Sequence, residues 1–179
     1  MAAFLWIFWS FSLLGWVLER LFAAVTRSPR RRRRCLLLLP LCPVYGLGMA
    51  AVLALPPSLR SGWPLYIWGC LTATAVEYIY HWWGETFLSV SFWDYTGVFG
   101  NLRGRVCLPF SLAWGLLLFP AVYLVTPPVV ALADRVPIGV TWWLLLAFTA
   151  DAVCSLRFLA VTHDLEALRA VIWPVSADR

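Results

Sequence analysis

Apolar positions in this chain do not alternate with polar ones; they run together in long blocks broken by short polar or proline-marked punctuation. Five blocks stand out, at residues 3–25, 36–55, 63–88, 109–126 and 138–161. Each approaches the roughly 20 residues that a helix needs to cross a hydrocarbon core about 30 Å thick. The second block carries Pro40 and Pro43 near its start. Proline removes a backbone donor and clashes with the preceding turn, so this block is expected to begin as irregular or re-entrant chain. Such backbone survives at membrane depth only where it is buried in protein or lines water. The pattern therefore predicts five crossings, or four and a re-entrant piece, in an all-α helix bundle of one domain over residues 1–179.

Composition agrees with this class. Hydrophobic residues make up 62% and charged residues 13% of the 179, and mean hydropathy is +0.79; soluble domains carry about a quarter charged residues. The implied location is the cell membrane, with several passes. Every basic side chain other than histidine is an arginine. Arg27 and Arg30–Arg34 follow the first block, which by the positive-inside bias predicts a cytoplasmic loop there, an external N-terminus and a cytoplasmic C-terminus. Arg103, Arg105, Arg169 and Arg179 then fall inside, with Arg60 and Arg135 outside. Beside a span, the arginine run reads as a topology determinant that attracts anionic lipid rather than as a nucleic-acid patch, and no nucleic-acid partner is expected. Five cysteines without a CxxC spacing read as small packing residues.

External connections are short and proline-marked, around residues 56–62 and 127–137. The one long connection, 89–108, is expected in the cytoplasm and gathers Trp93, Asp94, Tyr95, Gly97, Gly100, Asn101, Arg103, Gly104 and Arg105. Glycine and polar residues clustered on a long loop are where function concentrates. The tail at 162–179 reads as a short amphipathic helix with Leu165, Leu168, Val171 and Ile172 on one side.

Against this background the acids inside the apolar blocks carry the most information, because an ionised group at membrane depth is costly and marks a functional interior. Glu19, Glu77 and Asp151 each lie on a block that runs inward. At 1.5 Å per residue all three land roughly 20–24 Å from the outer face, in one layer on the cytoplasmic side. Thr74, Glu77, His81 and Glu85 recur at spacings of three and four, which places them on one helix face. Gly15, Gly46, Gly48, Gly69 and Gly115 are suited to close helix approach. The resulting expectation is a polar pocket open to the cytoplasm, walled by Glu19, Glu77 and Asp151 and lidded by Arg105 with Arg103 beside it; the competing reading is an ion-pair network that locks the bundle. His81 with Glu77 and Glu85 has metal-ligand spacing, but ligands from one helix encircle an ion poorly; a polar helix face is the expected reading, with no metal and no cofactor.

Several motifs then occur in order: Gly15-Trp16 with Glu19; Pro40-Leu41-Cys42-Pro43-Val44-Tyr45-Gly46 with Gly48; Glu77-Tyr78 with Glu85; Trp93-Asp94-Tyr95; Asn101-Leu102, then Gly104 through Leu108; and Ser111 through Trp114-Gly115. Together they resemble the CmpB-like family of type IV ABC-transporter permeases, over about residues 11–123. The chain departs from the family pattern at Arg103 and His81, where an uncharged polar and a small residue are expected. The resemblance marks Glu19, Cys42, Tyr45, Glu77, Asp94, Gly104 and Arg105 as motif positions without assigning them roles. It implies transport, with the bilayer as one partner, a separate nucleotide-binding ATPase as another, and a homodimer where a pore needs more helices. No G-x-x-x-x-G-K-[ST] pattern occurs in the sequence, so ATP hydrolysis would belong to a partner. Two other functions compete: a membrane enzyme acting on a lipid or isoprenoid-type substrate through paired carboxylates, and an accessory or assembly protein whose polar layer is structural.

Overall fold

A computed structural model describes residues 2–26 and 35–170. The Arg30–Arg34 run and the end of the tail, with Val171 and Ile172, lie outside the described residues. The elements are α1 (Ala2–Thr26), α2 (Pro43–Ala54), a 3-10 turn (Pro57–Leu59), α3 (Gly62–Trp83) continued by a π turn (Gly84–Leu88), α4 (Leu108–Pro120), a second π turn (Ala121–Val125), α5 (Thr126–Arg135), α6 (Ile138–Thr162) and α7 (Leu165–Ala170). Among the described residues there is no strand beyond a single bridge between Leu102 and Val106. The fold is an all-α bundle.

Among the described residues three helices are long and apolar enough to cross a membrane: Ala2–Thr26, the continuous Leu108–Arg135 and Ile138–Thr162. Their outward faces are apolar, with Leu14, Leu21, Leu116, Leu124, Trp143 and Leu146 all exposed. That inversion suits hydrocarbon rather than water. The stretch of α3 and its π turn has the length to cross, and its buried face carries Glu77 and His81 beside Leu65 and Gly69.

The second block divides in two. Its helix, α2, is 12 residues, or about 18 Å, too short to cross alone. Cys42 is extended and Pro43 occupies the first helical turn, where its missing N–H costs nothing. Before it, residues 35–42 are irregular, with Leu39 and Pro40 exposed and Leu36 and Leu37 buried among Phe92, Trp93, Leu159, Leu165 and Leu168. The Cys42 N–H donates to Ser12 O at 2.9 Å, which brings this segment to the middle of α1. From there α2 runs back along α1, and Met49 and Val52 join Ile7 and Phe11 in a second core with Leu65 and Leu118.

The connection expected at 127–137 is mostly helix, since α5 continues to Arg135. Pro127 and Pro128 fall in its first turn, and the π turn before them shifts the register at the point where proline breaks the ladder. The Thr126 hydroxyl donates to Ala121 O at 2.8 Å, taking up a carbonyl there. At the other end of the bundle, Ser89 ends the α3 stretch in the left-handed region (φ 56) and Val90 N–H returns to Gly84 O. Asp164 accepts the N–H groups of Glu166 and Ala167 and so caps α7. Leu165 and Leu168 are buried, which docks the amphipathic tail helix against the same core as the irregular segment.

Candidate functional site

Gly15 and Glu19 are one turn apart on α1, and α2 brings Tyr45 against both. A Cβ on Gly15 would overlap the Tyr45 ring, so only glycine lets that ring lie across the helix. Its hydroxyl then reaches Glu19, to which it donates. The edge of Tyr45 meets Trp114 of α4, with ring centroids 5.4 Å apart. Trp114 in turn donates its indole N–H to Glu77 Oε2 at 2.9 Å, and the Tyr95 hydroxyl donates to Glu77 Oε1 at 3.2 Å. Tyr95 stacks on Phe110, centroids 5.0 Å apart. Glu19 and Glu77 therefore flank one aromatic cluster, and Glu77 is 2% exposed. Both of its oxygens accept, so it meets its surroundings as an acceptor pair.

Two cavities adjoin this cluster. The larger, about 340 Å³, is lined by Tyr45, Gly48, Met49, Ala73, Glu77 and Trp114 at its inner side and by Leu14, Val17, Leu18 and Leu21 of α1 toward the outside. The smaller, about 190 Å³, is lined by Glu19, Tyr45, Tyr95, Phe110 and Trp114. Leu18, Tyr45, Trp114 and Leu117 line both.

Asp151 lines neither cavity. Its Oδ1 accepts Leu38 N–H at 3.1 Å and the Ser155 hydroxyl at 2.9 Å, and its Oδ2 accepts Leu39 N–H at 2.9 Å. Backbone donors of irregular chain have no helical partner, and this carboxylate supplies one for two of them.

Glu85, Tyr78 and Arg105 form a third cluster. Arg105 Nε donates to Glu85 Oε2 at 2.7 Å, its terminal nitrogen donates to the Tyr78 hydroxyl at 2.8 Å, and the guanidinium lies 5.0 Å from the Tyr78 ring centre. Desolvation pulls the guanidinium pKa down, but the bond and charge of Glu85 and the Tyr78 hydroxyl outweigh it and hold the value above the ordinary one. His81, 1% exposed, approaches Glu85 Oε1 at 3.2 Å and the Ser91 hydroxyl at 3.3 Å, both through Nε2. The loop is shaped by its own bonds: Trp93 Nε1 donates to Arg105 O at 2.7 Å and Tyr95 N–H to Gly104 O at 2.8 Å. Asp94 Oδ1 accepts Thr96 N–H at 2.8 Å; Thr96, through its side chain first and its backbone N–H second, holds the Asp94 carboxyl below the usual range.

Of the residues singled out by sequence, Glu19, Tyr45 and Glu77 come together around the aromatic cluster, and His81, Glu85 and Arg105 form a neighbouring set. Asp94 and Arg103 are exposed on the loop, and Cys42 is buried at the junction of irregular chain and α2. Arg20 lies over the Trp16 ring, 5.0 Å from its centre. Among the described residues no three His, Cys, Asp or Glu side chains gather as a metal-holding group. Trp114, Tyr95 and Tyr78 enter the sequence reading only as members of motifs; Tyr78 directly follows Glu77, whereas no acid of an apolar block adjoins Trp114 or Tyr95 in sequence.

A helical bundle with apolar outer faces and carboxylates turned inward defines a multi-pass membrane protein. The family model described as "Putative ABC-transporter type IV" (CmpB) matches residues 6–156, and the chain belongs to that family. No curated protein and no solved structure matches it.

Proposed function

We propose that this chain is the membrane-spanning subunit of an ATP-driven transport assembly, with the cavity beside Glu77 as its substrate site. The observation that carries the reading is a buried carboxylate at the inner wall of a cavity of about 340 Å³, within the span of roughly 300–1,000 Å³ usual for ligand sites, in a member of a transporter family. The chain has no lysine and so lacks the P-loop lysine that binds nucleotide phosphates; hydrolysis falls to a separate ATPase. The Arg105–Glu85 cluster and the loop around it form a polar surface at one end of the bundle, suited to that partner. In this reading the chain crosses the cell membrane five times, with the irregular segment at 35–42 and α2 together making the second crossing. The N-terminus is outside, the loop and the C-terminus are cytoplasmic, and a second copy supplies the further helices a pathway needs.

The enzyme reading has less support. Ser91 and Glu85 both address His81 through Nε2, whereas a nucleophile–base–orienter arrangement uses opposite ring nitrogens. The test is purification of the tagged chain from its native membrane into lipid nanodiscs, followed by native mass spectrometry. An ATPase subunit retained in fixed ratio supports the transport reading; a chain that is stable alone and recruits no ATPase overturns it.

A further inference from the structure

Five glycines were grouped above as points of close helix approach, and four behave that way. A Cβ would overlap Tyr45 at Gly15, Phe8 and Ser12 at Gly46, and Leu118 at Gly69, and would come within 2.8 Å of Tyr66 at Gly115. Gly48 differs. It is buried, yet a Cβ built on it would meet no atom within 4 Å, because it faces the larger cavity. A buried glycine opposite empty space keeps that space open rather than bringing two helices together.

The lining of the cavity is apolar except near one end, where Glu77, Tyr45 and Trp114 stand. Its α1 wall joins the buried Phe11 and Gly15 to Leu14, Val17, Leu18 and Leu21, the last four all exposed, so the cavity opens sideways through the face that the bilayer covers rather than through a polar mouth. Trp114 N–H and Tyr95 O–H already donate to the two oxygens of Glu77. A carboxylate accepts and does not donate, so a ligand head that meets it must itself donate, and a cationic donor makes the stronger bond.

We infer that the cavity binds a single-chain amphiphile with an amine head, entering from the bilayer between α1 and α4, its chain lying along Gly48 and Met49 and its ammonium group at Glu77. This names the substrate class of the site proposed above and rests on that reading. A two-chain lipid with a bulky headgroup exceeds the volume, and an anionic head is repelled by the carboxylate.

The full chain in nanodiscs, without any ATPase, is titrated with dodecylamine and, separately, with dodecanoate, and bound copies are counted by native mass spectrometry. The amine is expected to saturate at one copy per chain and to bind about tenfold or more tighter than the acid. Glu77→Gln should remove most of that preference. Gly48→Leu should abolish binding while leaving the melting temperature unchanged or raised, since leucine fills open space and favours helix. Equal retention of amine and acid overturns the inference, as does undiminished amine binding by a folded Gly48→Leu protein; if either variant melts early, Ala73→Leu, in the same lining but on α3, decides by the same binding criterion. A failed titration leaves the ATPase co-purification result standing, and absence of an ATPase leaves the titration standing, so the two readings fail separately.

Discussion

Asp151 Oδ2 accepts the backbone N–H of Leu39 at 2.9 Å, across 112 residues of chain, and the same side chain takes Leu38 N–H on its other oxygen. Irregular backbone inside a bilayer is tolerable only when such groups are satisfied by protein. This carboxylate is therefore part of what holds residues 35–42 in place, with Leu36 and Leu37 buried in the bundle. Asp151→Ala strands two backbone donors and the buried Ser155 hydroxyl and should lower unfolding stability by about 2–4 kcal/mol. Asp151→Asn keeps an accepting oxygen and should cost less than half of that. Thermal melts of both variants in the same detergent check the order; equal melting of Ala, Asn and wild type would dissociate Asp151 from the segment.

The contact between Gly15 and Tyr45 makes a separate prediction. Gly15→Ala drives a methyl into the Tyr45 ring, and overpacking of this kind costs about 1–3 kcal/mol. Tyr45→Phe keeps the ring against Gly15 and Trp114 but removes the hydroxyl that donates to Glu19. Both should lower the melting temperature, and Gly15→Ala should also weaken amine binding because Tyr45 walls the cavity. Fluorescence-detected melts with and without dodecylamine separate the two effects.

How much of this was legible in the sequence follows from what each signal depends on. Apolar run length depends only on the bilayer, so the long blocks read directly, and Pro40 with Pro43 announced the irregular start of the second. Pro127 and Pro128 read as loop, because nothing local shows that a π turn would place them in a first helical turn, with Thr126 reaching Ala121. The acids were recognisable as interior, but their partners were not. Charge suggests arginine, and nothing local points to the contacts that Glu19 makes with Tyr45, Glu77 with Tyr95 and Trp114, and Asp151 with backbone. In sequence Gly48 is indistinguishable from Gly46; only packing separates a contact glycine from one that holds a space open.

Asp94 gives the loop a pH dependence with a definite sign. Its carboxyl is held below the ordinary value of 3.8 by the Thr96 hydroxyl and N–H. A carboxyl depressed in the folded state contributes stability that is present above its unfolded pKa and is lost as pH falls through the folded value. Amide exchange at Thr96, corrected for intrinsic rate, should therefore show constant protection from neutral pH down to about 5 and lose it only below about 4. In Asp94→Asn protection should be independent of pH across that window. Loss of protection beginning above the ordinary carboxylate range would assign the effect to another group.

Arg105 addresses Glu85 and Tyr78 at once, with Nε on one and a terminal nitrogen on the other, while its plane lies near the Tyr78 ring. That geometry needs a planar fork, which an ammonium point charge does not reproduce. Arg105→Lys should retain part of the attraction to Glu85 and lose the bond to Tyr78. Because the Glu85 side chain is 36% exposed, the ion pair itself is worth little, and the larger consequence is positional. Arg105 O also receives the Trp93 indole N–H, so a shift of this residue loosens the loop that carries Tyr95 to Glu77. Accordingly, Arg105→Lys should reduce protection of the loop amides and weaken dodecylamine binding several-fold, and Tyr78→Phe should reproduce part of both. A cycle of Arg105→Lys, Tyr78→Phe and the double variant, read by loop exchange, checks the coupling. Strictly additive losses would place Tyr78 outside the support of the loop.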